Sequence, residues 1–350
     1  MSNAAILGAA AHCYGTTSAQ LSPLAGGHFS SVYEFRRGDR PCILRIVPPD
    51  EDYSLQAMQA IAAWVDFLAQ RGVSVSRPVL SSSGHPVEAV IQDDKTYLVV
   101  ASEKADGILA ETLPQEQWSD TLYRNVGKEV GKMHRAAVEY APSPALRRPG
   151  WDDVGNCFNS RDLLDDSQAL VREKRDRLLD YVQTLPKDQA SYGMIHADLH
   201  LANFFVDLES CAVTLFDFDD CGYGWYMMDT AMLLFDTLVL YAGADVGAFG
   251  LSKQAGKQNR AYDHPFAARF MRAYLEGYAT ERTVDPFWVR QLPHFLKLLE
   301  ISVYAQLYRG YDPGDPDPWV RKFMPDRKRR IEEDVPYVAF DFDALAQQFT

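Results

Sequence analysis

Hydrophobic and polar residues alternate in short runs over roughly the first hundred positions, and this pattern predicts strands around one helix. Each run is rich in residues that favour strands, and polar turns connect the runs into hairpins. The two predicted hairpins have strands at 31–35 and 42–47 and at 87–91 and 96–101. Between the hairpins, apolar residues recur with helical spacing over 54–71. The first part of the chain is therefore expected to be a small sheet with one helix.

After about residue 104 the apolar residues fall into longer stripes, three to four positions apart, as in helices with one buried face. The predicted helices lie at 122–137, 161–184, 229–242, 265–280 and 287–308. Two short β runs, 204–206 and 212–216, bracket a turn among these helices. The change of pattern near 104–107 predicts an α+β fold with a smaller N-terminal lobe at 1–104 and a mainly helical C-terminal lobe at 105–350.

Chain length and charge narrow the range of functions. The 350 residues exceed the size at which one hydrophobic core usually stops growing, which favours two lobes. The contents of hydrophobic residues, 47%, and charged residues, 24%, are typical of a folded protein. The net charge of −13 argues against a nucleic acid as the main partner and favours a neutral or cationic one.

Cysteine use and apolar runs bear on location. The five cysteines are odd in number and lack the spacing of a metal site or a disulfide framework, so reduced thiols and a cytoplasmic location are expected. The N-terminal stretch has no basic region of the kind that begins a secretory signal. No uncharged apolar run approaches about 18 residues, so no membrane span is expected. The basic cluster 327–330 could dock a partner, but a solvated helix face is the favoured interpretation.

One short stretch concentrates ionisable residues between apolar runs. His196, Asp198 and Asn203 have the spacing H-x-D-x4-N, and Asp217 follows at the end of the next β run, in the order of the kinase catalytic set. Phosphoryl transfer needs a carboxylate to orient and deprotonate a hydroxyl, and oxygen ligands to hold Mg²⁺ on the phosphates. Asp198 suits the first role, and Asn203 and Asp217 suit the second. His196 is interpreted as a buried loop histidine rather than a proton-transfer group.

Residues near Asp217 are candidates for acceptor recognition. On an extended segment Asp219 shares a face with Asp217, and it could complete the metal site, bind the acceptor or cap loop amides. Trp225 lies near several aspartates, and aromatic rings beside carboxylates suit an amine or a quaternary ammonium group. Packing of these aromatic residues in the lobe core is the favoured alternative.

Three segments carry a resemblance to a known family. The stretches IHADLHLANFFVD, LFDFDDCGYGWYMMDTA and SEKADG resemble the aminoglycoside phosphotransferase and choline kinase-like enzyme family, and the likeness runs from about residue 21 to about residue 308. The resemblance implies a bilobal kinase-like fold and transfer of the ATP γ-phosphate to a hydroxyl. Within the family the chain most resembles bacterial homoserine kinase-like and stress-response kinase-like members. Because such members differ in acceptor, the resemblance indicates the reaction and leaves the substrate open.

The resemblance implies a role for individual residues. Asp198 would be the catalytic base, Asn203 and Asp217 would be magnesium ligands, and Asp229 would support the catalytic loop. The hinge that meets the adenine would lie at Glu103, Lys104 and Ala105. The loop that covers the nucleotide would contain Gly26, Gly27, His28, Phe29, Ser30 and Ser31. Two adjacent glycines allow backbone amides to approach phosphate oxygens closely.

The first lobe departs from the family pattern at two positions. Arg45 stands where kinases carry the phosphate-binding lysine, and an arginine can hold a phosphate through two hydrogen bonds. On the following helix, Ile61 occupies the place of the glutamate that would pair with this cation. Asp66 or another carboxylate could take that part, or Arg45 could act unpaired.

The predicted function is an ATP- and Mg²⁺-dependent phosphotransferase whose acceptor is a small molecule with a hydroxyl, such as an amino alcohol, an amino acid or an aminoglycoside-like compound. A cationic acceptor would suit the acidic chain. A stress-response-type protein serine/threonine kinase is an alternative, disfavoured because Asp229 follows Asp217 within only twelve residues, which leaves no obvious activation loop. A non-catalytic nucleotide-binding module is a third possibility, suggested by the missing helix glutamate and Arg45 and disfavoured by the complete catalytic set.

Overall fold

The computed structural model describes residues 3–24, 30–49, 53–153, 163–241, 265–314 and 318–349. The chain divides into two compact units. The first unit contains Met1–Gly107, Tyr140–Arg148 and Thr214–Asp219, and the second contains Ile108–Glu139, Pro149–Val213 and Asp220–Thr350. The first segment of the first unit ends at Gly107, three residues after the boundary predicted at 104. Two later segments also belong to the first unit, so one boundary along the chain does not describe the division.

The first unit is built on an antiparallel sheet. Its elements are α1 (Asn3–Cys13), β1 (Ser22–Pro23), β2 (Ser31–Arg37), β3 (Arg40–Val47), α2 (Leu55–Gln70), β4 (Val87–Gln92) and β5 (Lys95–Glu103). The strands lie in the order β1-β2-β3-β5-β4, so both predicted hairpins are present. The helix predicted over 54–71 is α2, which begins after Ser54, whose side chain accepts a hydrogen bond from the Ala57 amide.

Alternation along β3 places one charged side chain opposite the core of this unit. Leu44 and Ile46 are buried on one face of β3, together with residues of α1 and β5. The Tyr14 hydroxyl donates to the Val99 carbonyl at 3.2 Å and attaches α1 to β5. Because successive side chains of a strand point to opposite faces, Arg45 lies on the face that this core does not use.

The second unit is mainly helical. Its helices are α3 (Asp120–Glu139), α4 (Ala169–Gln183), α5 (Tyr226–Tyr241), α6 (Pro265–Ala279), α7 (Pro286–Val289), α8 (Leu292–Tyr308), α9 (Pro318–Glu332) and α10 (Phe342–Ala346). Its strands are β6 (Ile108–Leu109), β7 (Tyr192–Ile195), β8 (Phe204–Val206) and β10 (Gly222–Trp225). In β9 (Val213–Leu215), the first residue belongs to the second unit and the other two belong to the first. β7 pairs antiparallel with β10, and β6 pairs antiparallel with β8. The described helices include none with the length and apolar character of a membrane span.

Two predicted helices differ from those observed. Of the predicted helix 161–184, residues 161–162 lie outside the described residues and α4 begins only at Ala169, because the Asp165 side chain accepts from the Ser167 amide and caps a short 3-10 turn first. The predicted helix 287–308 is divided into α7 and α8. Pro293 explains the break, since a proline ring clashes with the carbonyl four residues earlier in a continuous helix.

The basic cluster 327–330 does not form the solvated face that its composition suggested. Arg327 and Arg330 are 3% and 1% exposed, and both guanidinium groups face the carboxylate of Glu300, itself buried on α8. A buried carboxylate of this kind lowers the cost of burying arginine. Lys328 and Arg329 of the same cluster are the partly exposed pair. The prediction was wrong for two of the four residues because the partner carboxylate is distant in sequence.

Candidate active site

The loop between β7 and β8 carries the H-x-D-x4-N residues. β7 ends at Ile195, a 3-10 turn spans Leu201–Asn203, and β8 begins at Phe204. The loop turns sharply at Ala197, whose φ of 64° lies in the left-handed region that residues with a Cβ seldom adopt. The Asp198 side chain, which follows this turn, is 32% exposed and therefore accessible to a reactant.

Asn203 is anchored to Asp198 through its amide nitrogen. Its Nδ2 donates to the Asp198 carbonyl at 2.8 Å and to Asp198 Oδ2 at 2.9 Å, and the residue is 4% exposed. Among the described residues, nothing donates a hydrogen bond to Asn203 Oδ1. An amide oxygen that lacks a protein donor is a suitable ligand for a divalent cation, which binds through oxygen atoms.

His200 stabilises the ionised form of Asp198. Its Nδ1 accepts from the Ala202 amide at 3.2 Å, so in the neutral imidazole the proton is on Nε2, which lies 3.3 Å from Asp198 Oδ2. Burial tends to raise the pKa of Asp198, but hydrogen bonds from His200 and Asn203 outweigh burial, and the pKa lies below its ordinary value. Asp198 is therefore an ionised carboxylate at neutral pH.

Asp229 accepts hydrogen bonds from backbone amides in the first half of this loop. Its Oδ2 accepts from the His196 amide and its Oδ1 from the Ala197 amide, both at 2.9 Å. His134 Nε2 also lies within hydrogen-bonding distance of Oδ2, at 2.9 Å. The side chains of Asp229, His134 and His196 are fully buried. Asp229 thus fixes the two peptide groups that precede Asp198.

Sequence reasoning missed a second aspartate of α5. Asp236 lies seven residues after Asp229, two helical turns along the same face, and its Oδ2 accepts from the Leu201 amide at 2.8 Å. Burial raises the pKa of Asp236, and the charge of Asp198 adds to this effect. The available signal was the spacing of seven residues between Asp229 and Asp236 on a predicted helix. This spacing indicates a second contact with the loop only once the contact of Asp229 is known.

In the first unit, Arg45 forms a two-bond ion pair with Asp219. Nη1 donates to Oδ1 at 3.2 Å and Nη2 donates to Oδ2 at 2.5 Å. Asp217 Oδ1 lies 3.6 Å from Arg45 Nη1, and Asp217 has a φ of 62° and a side chain 42% exposed. Burial lowers the pKa of Arg45, but the charge of Asp219 more than compensates and leaves it above the ordinary value, so the guanidinium is permanently charged.

The partner of Arg45, left open by the sequence, is therefore Asp219. Asp66 bonds Arg77 at 3.0 Å instead, and Ile61 is buried in the apolar stripe of α2. Asp219 also has its backbone fixed, because Arg148 Nη2 donates to the Asp219 carbonyl at 2.6 Å. The glutamate missing from the helix is thus replaced by a carboxylate from the segment that follows β9.

The remaining nucleotide-side candidates lie at strand ends. Glu103 is the last residue of β5 and its amide donates to the Arg77 carbonyl at 2.8 Å, while Ala105 is partly buried in the irregular segment beyond it. Ser30 immediately precedes β2. Gly27, His28 and Phe29 lie outside the described residues.

Trp225 does not present a surface to an acceptor. Its side chain is fully buried, and its Nε1 donates to the Pro186 carbonyl at 2.8 Å. It pairs with Tyr192 at the start of β7, whereas the catalytic loop follows the other end of that strand. Trp225 packs in the core, which is the alternative favoured from the sequence, and its ring lies at a tilted angle to Trp151 and edge-on to Tyr192.

The first unit also contains a cleft of about 940 Å³. Residues of α2, of the paired ends of β2 and β3 and of the loop after α2 line it, including Asp66 and Arg77. Arg45, Asp217 and Asp219 are not among the lining residues, so the cleft is separate from the charged cluster. Within the described parts of the chain, no group of three or more His, Cys, Asp or Glu side chains is arranged as a metal site.

Comparison with known proteins identifies the family. A sequence model described as the phosphotransferase enzyme family matches residues 20–287. The chain belongs to the phosphotransferase enzyme family. A curated relative, amicoumacin kinase of Bacillus subtilis (strain 168), is 31% identical over 347 residues, which cover 97% of this chain and 95% of the relative.

Solved structures of phosphotransferases share the fold. The amicoumacin kinase hAmiN, solved in complex with AMP-PNP, Ca²⁺ and Ami, has a TM-score of 0.85 and 27% identity, covering 99% of this chain and 97% of that one. A microcompartment-associated aminopropanol kinase has a TM-score of 0.69 and 20% identity, covering 94% of this chain and 98% of that one. The predicted α+β kinase-like fold is confirmed.

Family membership and the full-length relative also confirm the predicted class of enzyme, an ATP-dependent phosphotransferase that acts on a hydroxyl of a small molecule. The chain is accordingly a kinase that uses a nucleotide.

Proposed function

We propose that this phosphotransferase uses Mg²⁺ and ATP to phosphorylate a hydroxyl group of a small acceptor that also carries an ammonium group. One observation carries the catalytic part of the proposal. Asp198 is an accessible, ionised carboxylate whose loop is fixed on both sides, by Asp229 before it and by the Asn203 amide after it. A base for a hydroxyl must be accessible, charged and held in one orientation, and Asp198 meets all three conditions.

Asp198 takes the acceptor's proton in this mechanism. The hydroxyl donates a hydrogen bond to the Asp198 carboxylate, and its oxygen attacks the γ-phosphorus of ATP as the proton passes to the carboxylate. The bond from the γ-phosphorus to the bridging oxygen breaks and ADP leaves. Because phosphoryl transfer depends mainly on positioning and charge stabilisation, the fixed loop is the principal contribution of the second unit.

The first unit would bind the nucleotide. Arg45 would donate hydrogen bonds to phosphate oxygens in place of part of its two-bond pair with Asp219, and the remaining contact with Asp219 would orient its guanidinium. Asn203 Oδ1 and the Asp217 carboxylate would hold Mg²⁺, which neutralises charge on the phosphates. The backbone of Glu103 and Ala105 would meet the adenine, and the covering loop would contribute Gly27, His28, Phe29 and Ser30.

An ammonium group on the acceptor is supported by charge and by the relatives. The chain has a net charge of −13, and Asp236 adds a partly buried carboxylate beside the catalytic loop. Its Oδ1 accepts no hydrogen bond from the described residues, so one oxygen is available to a cation. Two similar proteins are named for amicoumacin and for aminopropanol, and the second name denotes an amino alcohol.

A matched acceptor screen tests the proposal. Purified protein is incubated with ATP and Mg²⁺ and with pairs of alcohols that differ only by an amine, and phosphorylated products are measured by mass spectrometry. We expect transfer to amine-bearing members and loss of transfer in Asp198→Asn, by about 10²–10⁴-fold in kcat for a missing general base. Equal transfer to the amine-free members would contradict the ammonium proposal, and wild-type turnover by Asp198→Asn would contradict the assignment of the base.

A further inference from the structure

The imidazole of His134, on α3, connects two buried residues of other helices. His134 Nε2 lies 2.9 Å from Asp229 Oδ2 on α5, and Nδ1 lies 3.0 Å from the Tyr278 hydroxyl on α6. The three side chains are buried, at 0%, 0% and 1% exposure for His134, Asp229 and Tyr278. None of them reaches a position where a reactant could touch it.

Only one direction of hydrogen bonding satisfies all of these groups. The Asp229 carboxylate is an acceptor and already takes the amide protons of His196 and Ala197, so His134 must donate from Nε2. Burial lowers the pKa of His134, and the neutral ring then has an unprotonated Nδ1 that accepts from the Tyr278 hydroxyl. The hydroxyl therefore selects the tautomer that Asp229 requires.

Close packing of α3 on α6 brings Tyr278 to His134. A Cβ placed on Gly127 of α3 would lie 1.9 Å from the Tyr274 carbonyl oxygen, and one on Gly277 of α6 would lie 1.9 Å from the Arg124 carbonyl oxygen. Real Cβ atoms do not approach oxygen so closely, so both helices require glycine at these contacts. The two glycines set the spacing at which the hydroxyl and the imidazole meet.

Asp229 acts on a peptide segment that needs external support. Ala197 adopts left-handed backbone geometry, which its Cβ disfavours, and such conformations persist only where the surroundings hold them. The Ala197 amide is held by Asp229 Oδ1 at 2.9 Å. The orientation of Asp229 consequently affects the direction in which Asp198 leaves the loop.

We propose that His134 and Tyr278 are positioning residues, which fix Asp229 and thereby orient Asp198 for proton removal from the acceptor. This proposal rests on the proposed function of Asp198 and adds two residues from outside the catalytic loop. Neither residue is a catalytic residue, since each acts through Asp229.

A pair of tyrosine variants separates this role from general packing. Tyr278→Phe removes the hydroxyl that bonds His134, whereas Tyr274→Phe removes an equally buried hydroxyl one turn earlier on α6, where it bonds Thr230 Oγ1 at 3.1 Å. We expect kcat to fall by about fivefold in Tyr278→Phe and by less than about twofold in Tyr274→Phe, with KM for ATP unchanged in both. Equal losses of kcat in the two variants would overturn the proposal.

Variants of His134 test the donor directly. His134→Gln keeps an N–H that can reach Asp229, whereas His134→Ala removes it. We expect kcat to fall by about 100-fold in the alanine variant, as for a misplaced catalytic group, and by less than about tenfold in the glutamine variant. A glutamine variant as impaired as the alanine variant, at equal thermal stability, would contradict a positioning role.

Amide hydrogen exchange gives a readout that does not depend on activity. In Tyr278→Phe and His134→Ala, the amides of His196 and Ala197 should exchange faster than in wild type, while those of β2 and β3 should not change. Unchanged protection at these two amides would overturn the proposal even if kcat fell. Faster exchange together with an inactive wild-type protein would instead show that the proposed function, and not the structural role, is wrong.

Discussion

The catalytic loop and the Arg45 cluster hold their charged groups in different ways. In the loop, two carboxylates of α5, the buried Asp229 and the partly buried Asp236, bind backbone amides, so the peptide itself is fixed at residues 196, 197 and 201. In the cluster, Arg45 is held by side chains alone, and Asp219 and Asp217 are 13% and 42% exposed. One region is built from backbone contacts in the interior, and the other from ion pairs near solvent.

This difference indicates when each region reaches its working geometry. A peptide bound to buried carboxylates is in place before a reactant arrives, because rearrangement would leave buried charge uncompensated. A guanidinium in a partly exposed ion pair can exchange one set of oxygens for another more easily than buried groups can, because solvent screens the charges. We therefore infer that substitutions in the loop chiefly alter kcat, whereas substitutions in the cluster chiefly alter nucleotide affinity.

Asp229→Asn should have the largest effect. Asp229 uses both oxygens as acceptors, so an asparagine would direct an N–H against a backbone amide or His134. We expect kcat to fall by at least about 100-fold and the free energy of unfolding to fall by about 1–3 kcal/mol for an unsatisfied buried donor. Asp236→Asn is the matched control for stability, because it uses one oxygen and an asparagine can keep that bond. Equal destabilisation of the two variants, measured by urea unfolding, would contradict this interpretation.

Arg45→Leu should have the next largest effect, and it should act on the nucleotide. Loss of charged hydrogen bonds to phosphate is expected to raise KM for ATP by about 10–100-fold. Arg77→Leu is the control, since Arg77 belongs to the same unit and bonds Asp66 instead. Steady-state kinetics that showed a fall in kcat alone for Arg45→Leu would remove the distinction between the two regions.

Asp219→Asn should have a smaller effect of the same kind. Arg45 would keep one hydrogen bond and lose the opposite charge, so we expect KM for ATP to change by about 3–10-fold while KM for the acceptor is unchanged. Kinetics with varied acceptor supply the check. A large rise in the acceptor KM would instead assign Asp219 to acceptor binding.

His200→Ala should produce the smallest effect, a change in pH dependence. The pKa of Asp198 lies below its ordinary value, so the base stays ionised above that value and loses its charge only as the pH falls through the lowered pKa. Without His200 this pKa rises, and the acidic limb of kcat against pH should move to higher pH. An unmoved limb, or one moved to lower pH, would show that His200 does not stabilise the carboxylate.

Short-range patterns made part of the fold predictable from the sequence. Both hairpins and α2 were predicted because alternation and helical spacing are local properties, and the H-x-D-x4-N loop was found because its three polar residues lie within eight positions. The start of α4 and the break before α8 were missed, because an aspartate cap and a proline clash override the apolar spacing there.

Contacts between distant residues could not be predicted. Arg45 and Asp219 are 174 positions apart, and His134 and Asp229 are 95 apart, so neither pair appears in any local pattern. For the same reason the sequence left the partner of Arg45 open, whereas the structure supplies a carboxylate from another segment.

Calorimetric binding of AMP-PNP, in the presence of Mg²⁺, to Asp198→Asn and Asp217→Asn tests the division between the two regions most directly. Asp198→Asn, in the loop, should leave nucleotide affinity at the wild-type level. Asp217→Asn, in the Arg45 cluster, should weaken nucleotide affinity and reduce its dependence on Mg²⁺. Loss of binding in Asp198→Asn together with unchanged, Mg²⁺-dependent binding in Asp217→Asn would contradict the assignment of both residues.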